Sequence, residues 1–509
     1  MNRKSISKNY IYNLFYQVLV IVLPLITTPY LSRTLGAEAI GIHSYTLSIA
    51  SYFILFGAVG VTMYGQREIA YVQEDKHNRT IAFWEIFLMR LVTMSISLLV
   101  FGLTYCVNGE YVVYYRILII EILSQIIDIS WFFQGIEEFK KTVVRNSIVK
   151  FIFVICIFIF IKNPSDLFKY ILIITLADLF GNFSLWIHLP KYLKKVKIKE
   201  LKIFKHFKST VGLFIPQIAI QIYTVLDRTM IGMFCENKSE VGFYEQAQKV
   251  IKLLLTVVTS LGTVMVPRMT HTLAKGDMKM FKEYIKKSYS FVSLLAFPIM
   301  VGITLISKEF VPIFFGEGYE KVILLIQAIS PIILFIGVSN LFGYQYLIPS
   351  KKQKAYTISV TVGAVVNFIF NLIFIKYWGA LGASIATVVA EFLVAGVQAY
   401  FSKEILNIKE MLKISKNNIV ASIIMFVTLY GFEKILGITG ILSIILQVAL
   451  GVFIYVIVLF IFKDKFFYDV KEKFIIKIKS SLLQNNKKVE EKSWKKIYYL
   501  LLMSKCMVE

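Results

Sequence analysis

Polar and apolar positions fall along this chain in long blocks, with no regular alternation. Residues 9–32 contain no Asp, Glu, Lys or Arg, and neither do 39–66, 91–109, 288–307, 322–350, 355–375 or 435–462. A helix packed in water needs a charged face at helical spacing. These runs have none, and each is long enough for the roughly 20 residues that carry a helix across a ~30 Å hydrocarbon core. The blocks predict an all-α integral membrane protein of about fourteen spans. They are placed at 10–32, 40–66, 81–105, 112–133, 143–161, 169–189, 211–234, 249–267, 288–306, 322–347, 355–375, 381–401, 417–433 and 439–462.

Composition agrees. Of 509 residues, 57% are apolar and 17% charged, and the mean hydropathy is +0.68. Soluble chains carry roughly a quarter charged residues. The net charge of +24 comes from lysines and arginines between the apolar blocks, a membrane-topology bias that leaves no nucleic-acid-binding face. With the N-terminus inside and the spans alternating, 42 of the 56 Lys and Arg fall on the cytoplasmic side, eight of them in 191–208. That asymmetry sets orientation and returns the C-terminus to the cytoplasm. The start, MNRKSISKN before a long apolar run, reads as a retained first span. Its apolar run is longer than that of a cleavable leader, and no small-residue cleavage site follows.

The outer loops are short, so any chemistry or transport belongs among the helices. Two short matches suggest an internal repeat. Glu38-Ala39-Ile40-Gly41-Ile42 resembles Glu240-Val241-Gly242-Phe243-Tyr244. Gln134 followed by Lys140 and Lys141 resembles Gln345 followed by Lys351 and Lys352. The expected organisation is an N-terminal lobe 1–200 with spans 1–6, a C-terminal lobe 201–402 with spans 7–12, two further spans in 403–462 and a basic cytoplasmic tail 463–509. An even number of spans in each lobe makes the repeats parallel, about an axis along the membrane normal. The tail fits either an interfacial helix on anionic lipid or a frayed basic end.

No phosphate loop, HExxH, GxSxG or paired CxxC is present, and Cys106, Cys156, Cys235 and Cys506 have no metal-like spacing. No metal, ATP or other cofactor is expected. Ionisable groups inside spans are costly and usually face the bundle interior or a cavity. The candidates for a cationic cavity are Arg33, Arg90, Lys150, Arg228 and Lys252, with Lys249 beside the last. The intramembrane acids Asp128, Asp178, Asp227 and Glu391 are candidates for coupling or helix contact. Glu85 and Arg90, five apart, form a candidate ion pair. Adjacent Asp227 and Arg228 point in different directions on a helix. Pro24 and Pro29 in span 1 mark a bend, so a gate is expected where span 1 faces span 7. Excess positive charge suits an anionic substrate such as a pyrophosphate.

Several stretches resemble one transporter family. Gly363-Ala364-Val365-Val366-Asn367, Asn371 and Gly379-Ala380-Leu381-Gly382-Ala383-Ser384-Ile385-Ala386-Thr387, closing on Glu391, are similar to its spans 11 and 12. Trp131 to Lys140, followed by Arg145, Asn146 and Lys150, and the run Pro29 to Gly36 are similar to further parts. Over residues 8–460 the chain resembles the Wzx-type polysaccharide flippases of the multidrug/oligosaccharidyl-lipid/polysaccharide exporter (MOP) superfamily, relatives of the MATE transporters. The resemblance implies two lobes around a central cavity. It implies transfer of an undecaprenyl-pyrophosphate-linked glycan from the cytoplasmic to the outer leaflet of a bacterial plasma membrane, coupled to a Na+ or H+ gradient and without enzymatic chemistry. Arg33, Lys150 and Glu391 match family positions. Lipid II flippases carry a further basic residue where this chain has Ala37-Glu38-Ala39, which argues against lipid II. Glycosyltransferases and a polysaccharide polymerase are the expected partners, beside membrane lipid. The rival readings are a cation-coupled drug exporter and a polysaccharide polymerase or ligase. The short outer loops count against the second. Single-cysteine labelling in cells should find 190–210 and 402–416 on the same, cytoplasmic side; reaction with an impermeant reagent from outside would overturn the orientation.

Overall fold

A computed structural model describes the backbone of residues 3–469, 471 and 472. It describes their side chains except at 3–18, 20, 21, 139, 213, 215–217, 219, 220, 222, 223, 263 and 436. The basic tail beyond 472, including the expected interfacial helix, lies outside the described residues.

Sixteen α-helices follow one another. They are α1 (Arg3–Ala58), α2 (Val61–Tyr71), α3 (Lys76–Tyr105), α4 (Val112–Ile126), α5 (Ser130–Gly135), α6 (Phe139–Phe160), α7 (Leu167–Trp186) and α8 (Phe207–Phe234). Then come α9 (Ser239–Ala274), α10 (Met278–Phe315), α11 (Glu320–Ile329), α12 (Ile332–Ser339), α13 (Gln353–Trp378), α14 (Ala380–Phe401), α15 (Ile408–Leu436) and α16 (Ile441–Ile461). A π-helical stretch, Asn340–Leu347, continues α12. Among the described residues, ten helices are long and apolar enough to cross a membrane, or eleven with the bent α11–α12 pair taken as one. One of the ten, Val22–Tyr71, has 50 residues; at 1.5 Å per residue this is about twice a bilayer crossing.

Four expectations change. The first two predicted spans have no loop between them, because α1 runs through both with Gly36 as its single non-helical residue. Its φ of 78° lies in the left-handed region that only glycine enters freely. Thr28 and Leu31 then line the same pocket as Ile40, Ser44 and Leu47, so the chain reverses there. The fourth predicted span is broken between α4 and α5: the Asp128 carboxylate takes the backbone N–H of Ser130 at 2.9 Å and its hydroxyl at 3.0 Å. The tenth bends by 41° before α12, where Pro331 cannot donate to the preceding turn. The predicted 268–287 loop is largely helix as well, since α9 and α10 carry their charged ends beyond the apolar part and leave only a short turn.

Side-chain bonds define the two ends of the bundle. At one end, Tyr30 donates to the carbonyl of Ile161 at 2.6 Å, Arg33 donates to that of Ile313, and Lys321 pairs with Glu240. Asp166 closes the α6–α7 turn there. Lys169 and the backbone N–H groups of Lys162 and Asn163 hold its carboxyl down to about 2. At the opposite, lysine-rich end, the connection from α7 to α8 straps across α3. Arg79 donates to Tyr192 O at 2.8 Å, and Lys194 N to the Thr80 hydroxyl at 3.0 Å. Apolar packing is divided. Two clusters are built chiefly from α1–α7, two chiefly from α8–α14, and a smaller one joins α10 to α15 and α16.

Gly41 and Gly242, which the sequence match sets one position out of register, touch each other. A β-carbon on Gly41 would strike the carbonyl of Lys238, and one on Gly242 would strike the carbonyl of Ala37. Each glycine therefore meets the residue one turn before the other. The second match has a different register. Glu137 (φ 61°) and Lys351 (φ 58°) both end helices in the left-handed region, and Glu138 N and Lys352 N each bond a carbonyl five residues back at 2.8 Å. These caps align Glu137 with Lys351, whereas the sequence match aligns Lys140 with it. Gly41→Ala and Gly242→Ala should each lower the unfolding free energy in detergent by about 1–3 kcal/mol and speed labelling of a cysteine placed at Ser32. Unchanged stability together with unchanged labelling would show that α1 and α9 do not meet here.

Candidate functional site

Glu245, Lys249 and Lys252 occur at positions i, i+4 and i+7 of α9 and so share one helical face. Across from them on α8 stands Arg228. Glu245 pairs with Arg228 Nη1 at 3.3 Å and Lys249 Nζ at 3.9 Å, and accepts a bond from the Ser44 hydroxyl of α1 at 3.2 Å. These residues, with Thr28, His43, Tyr170 and Gln246, line a cavity of about 220 Å³. His43 packs edge-on against Tyr170, with 5.2 Å between ring centroids. Exposed Lys252 acts electrostatically on the same cluster. Arg228 and Lys249 thus pair with one acid, Glu245, and Lys252 is acted on by both Glu245 and Asp227. In a medium poorer than water the excess of cations attracts an anion strongly.

Bonds between α1 and the later helices close the cavity toward the Gly36 end. Gln246 donates to the Ser32 hydroxyl at 3.0 Å and Tyr319 to the Ser32 carbonyl at 3.1 Å. On the side away from Gly36, beyond Ser44 and Leu47, Ser48 and Tyr52 also bridge to α8, meeting Thr229 at 2.9 and 3.1 Å. The α1 segment thus bonds both α9, through Ser32, and α8, through Ser48 and Tyr52.

Asp227 points away from its neighbour Arg228, as adjacency on a helix requires. Its carboxylate accepts from Asn371 Nδ2 at 2.6 Å, from the Thr387 hydroxyl at 2.9 Å and from the Tyr244 hydroxyl. Asn371 also donates to Asn367 at 3.0 Å. Helices α8, α9, α13 and α14 therefore share one buried oxygen-rich cluster. Glu391 is buried on α14 one turn past Thr387.

The other sequence candidates are spread elsewhere. Arg33 is exposed at the Gly36 end, donating to Ile313 O and lining a separate opening with Gly316 and Tyr319. Arg90 is 1% exposed and donates to the Asp128 carbonyl at 3.2 Å. Glu85 is not its partner: Glu85 takes His206 Nε2 at 2.8 Å and Lys202 N at 2.7 Å, while His206 Nδ1 meets the Tyr64 hydroxyl at 2.6 Å. Asp128 is occupied in capping α5. Lys150 on α6 and Asp178 on α7 act on one another in a polar layer with Arg145. The structure thus brings Arg228, Lys252 and Asp227 together on α8 and α9, and leaves Arg33, Arg90, Lys150, Asp128 and Asp178 apart from them.

Glu245 and His43 were missed. Glu245 lies before the span predicted at 249–267, whereas α9 begins at Ser239, and the i, i+4, i+7 spacing is the signal that points to it. His43 is a lone polar ring in a charge-free run, and its role rests on residues distant in the chain.

A family model described as polysaccharide biosynthesis protein matches residues 6–273, more than half of the chain. The chain belongs to this family. A second model, MatE, matches residues 213–373, and together the two place the family member in the MOP superfamily. The chain is 25% identical over 406 residues to the Escherichia coli (strain K12) protein named "Putative O-antigen transporter", an alignment covering 79% of this chain and 97% of that protein. It is 26% identical over 267 residues to the Haloferax volcanii protein named "Probable low-salt glycan biosynthesis flippase Agl15", covering 52% and 55%. A solved structure of lipid II flippase MurJ in an inward closed conformation superposes with a TM-score of 0.71 at 18% identity, over 89% of this family member and 98% of that chain. An inward-facing MATE transporter superposes with 0.55 at 13% identity, over 78% and 99%. Both likenesses concern the fold.

Proposed function

We propose that this chain is a flippase that moves lipid-linked oligosaccharide across a bacterial plasma membrane, with undecaprenyl pyrophosphate as the carrier, for a surface polysaccharide of the capsule, O-antigen or teichoic type. The observation that carries the reading is the cluster of Arg228, Lys249 and Lys252 around Glu245, three cations to the one acid that lines the cavity. A diphosphate brings acceptors for all three cations, and charge-assisted bonds of this kind are the strong ones. The relatives named for O-antigen transport and glycan flipping supply the oligosaccharide.

A second cavity, of about 560 Å³, suits the lipid half. Leu294, Pro298, Ile303, Ile444, Val452 and neighbours on α10 and α16 line it, together with Leu254 of α9, two residues beyond Lys252. Leu254 faces away from Lys252 on α9, so the groove and the cationic cavity lie on different faces of that helix. Cationic drugs would meet the wrong sign of charge at this site.

The two sets of packed helices support two six-helix lobes, α1–α7 and α8–α14, with α15 and α16 as the added pair and about fourteen crossings in all. The reciprocal Gly41–Gly242 contact supports a repeat axis between the lobes. With the lysine-rich end and both termini cytoplasmic, the Gly36 end would be the outer gate, closed by the bonds of Ser32 to Gln246 and Tyr319. Alternating access would open that gate by parting α1 from α9. The buried oxygens of Asp227, Asn371 and Thr387 suit a coupling Na+ or H+. Glycosyltransferases would supply the substrate on the cytoplasmic side and a polymerase would receive it outside. No bond in the substrate is made or broken.

In vesicles containing the protein, labelled undecaprenyl-pyrophosphate glycan should become accessible in the far leaflet. Arg228→Ala and Lys249→Ala, each removing a charge-assisted bond worth about 1.5–3 kcal/mol, should slow this by about 10- to 100-fold with insertion intact. Accessibility equal to that of protein-free vesicles would overturn the flippase reading, and normal rates in both variants would overturn the cavity.

A further inference from the structure

A carboxylate in the interior of the α1–α7 set is left over by the account above. Glu121, on α4, is only 8% exposed. One of its oxygens accepts from Gln125 Nε2 at 3.0 Å, while Oε2 is buried and has no hydrogen-bond partner. An ionised carboxylate with a bare buried oxygen is costly in any protein interior, and more so at membrane depth.

Its surroundings deepen the cost. Helices α4 and α7 run side by side in the same direction: Asn182 Nδ2 reaches the Ser124 hydroxyl at 2.8 Å and carbonyl at 3.1 Å, and Trp186 reaches the Ile127 carbonyl at 2.8 Å. One turn back along each helix sets Asp178 beside Glu121. The charged group that acts on Glu121 is that same Asp178, a like charge. The cations Arg145 and Lys150 of α6 act on Asp178 instead, Asp128 at the α4–α5 break opposes them as a further like charge, and Arg145 also donates to Asn182. The other ionisable groups on helices packed against α4 stand further along. Arg90 of α3 is at the Asp128 carbonyl, and His43 of α1 is against Tyr170, about two turns before Asp178.

We propose that Glu121 Oε2 is a proton-binding site: the pair Glu121–Asp178 carries one proton, held on Glu121, and exchanges it as the flippase changes state. Two carboxylates sharing a site cannot both ionise cheaply, and the one without a cation takes the proton. A metal ion would have to sit beside Arg145 and Lys150, whereas a proton adds only an O–H bond on Oε2, drawn from and returned to water. Loss of that proton sets two anions against each other across α4 and α7 and presses the helices apart. The site lies in the opposite set of helices from Asp227, so it would couple to protons separately from any cation held there. The transport role rests on the flippase reading; the protonation state does not.

Infrared difference spectra of the full-length protein in lipid vesicles at neutral pH, wild type against Glu121→Gln, test it. The wild type should show a protonated carboxylic-acid carbonyl band, shifted in D2O, that the variant lacks; loss of carboxylate bands alone would overturn the proposal. Asp178→Asn provides a second measurement should the glutamine variant fail to insert. Removing the like charge should convert the Glu121 band to carboxylate, and its persistence would overturn the role of Asp178. In flipping assays an imposed pH gradient should change the wild-type rate several-fold and leave the Glu121→Gln rate unchanged; equal responses would overturn the coupling. A wild-type chain that flips nothing would sink the transport reading and leave the protonated acid to be decided by its own band.

Discussion

Charge carried into hydrocarbon must find a partner, since an unpaired ion at membrane depth costs at least ~2.5–3.5 kcal/mol. Much of this structure follows from where those partners stand. Arg228, Lys249 and Lys252 gather around Glu245 and draw α1, α8 and α9 together. Asp227 draws α13 and α14 onto α8 through Asn371 and Thr387. Arg90 and Asp128 fix the break between α4 and α5. Apolar packing fills the space between helices, but lipid is as apolar as leucine and gives packing little directional preference. Polar contacts therefore select which helices are neighbours.

Much of the fold could be read in the chain because lipid imposes length and polarity on every crossing. Charge-free runs gave the helices, and lysine placement separated the two ends. The breaks were harder to read. The reversal at Gly36, the Asp128 cap and the bend at Pro331 are each made by one residue within an apolar run, where a count of charges sees nothing. The site was half legible. Arg228, Lys252 and Asp227 stood out as ions inside spans, and their divergence followed from adjacency on a helix. Glu245 did not, because the start of α9 had been drawn a turn and more too late. Nor could the chain alone assign partners: Glu85 is five residues from Arg90, yet it binds His206 from a connection more than a hundred residues away.

The repeat shows both strengths of sequence matching and its failure. Gly41 and Gly242 lie in the first pair of matched stretches, one position out of register, and meet under a steric requirement, because only residues without a β-carbon allow backbone against backbone here. The Gln134–Gln345 match rests on side chains under no such requirement, and the helix caps place the correspondence three residues away.

Glu245 has a further consequence for the return stroke of the proposed cycle. A carrier whose cations were left bare once its cargo departed would face a steep barrier to swinging back through the membrane. Glu245 lies among Arg228, Lys249 and Ser44. In the proposed cycle it would serve as a built-in anion standing in for the departed one, so that the return stroke costs a short side-chain movement.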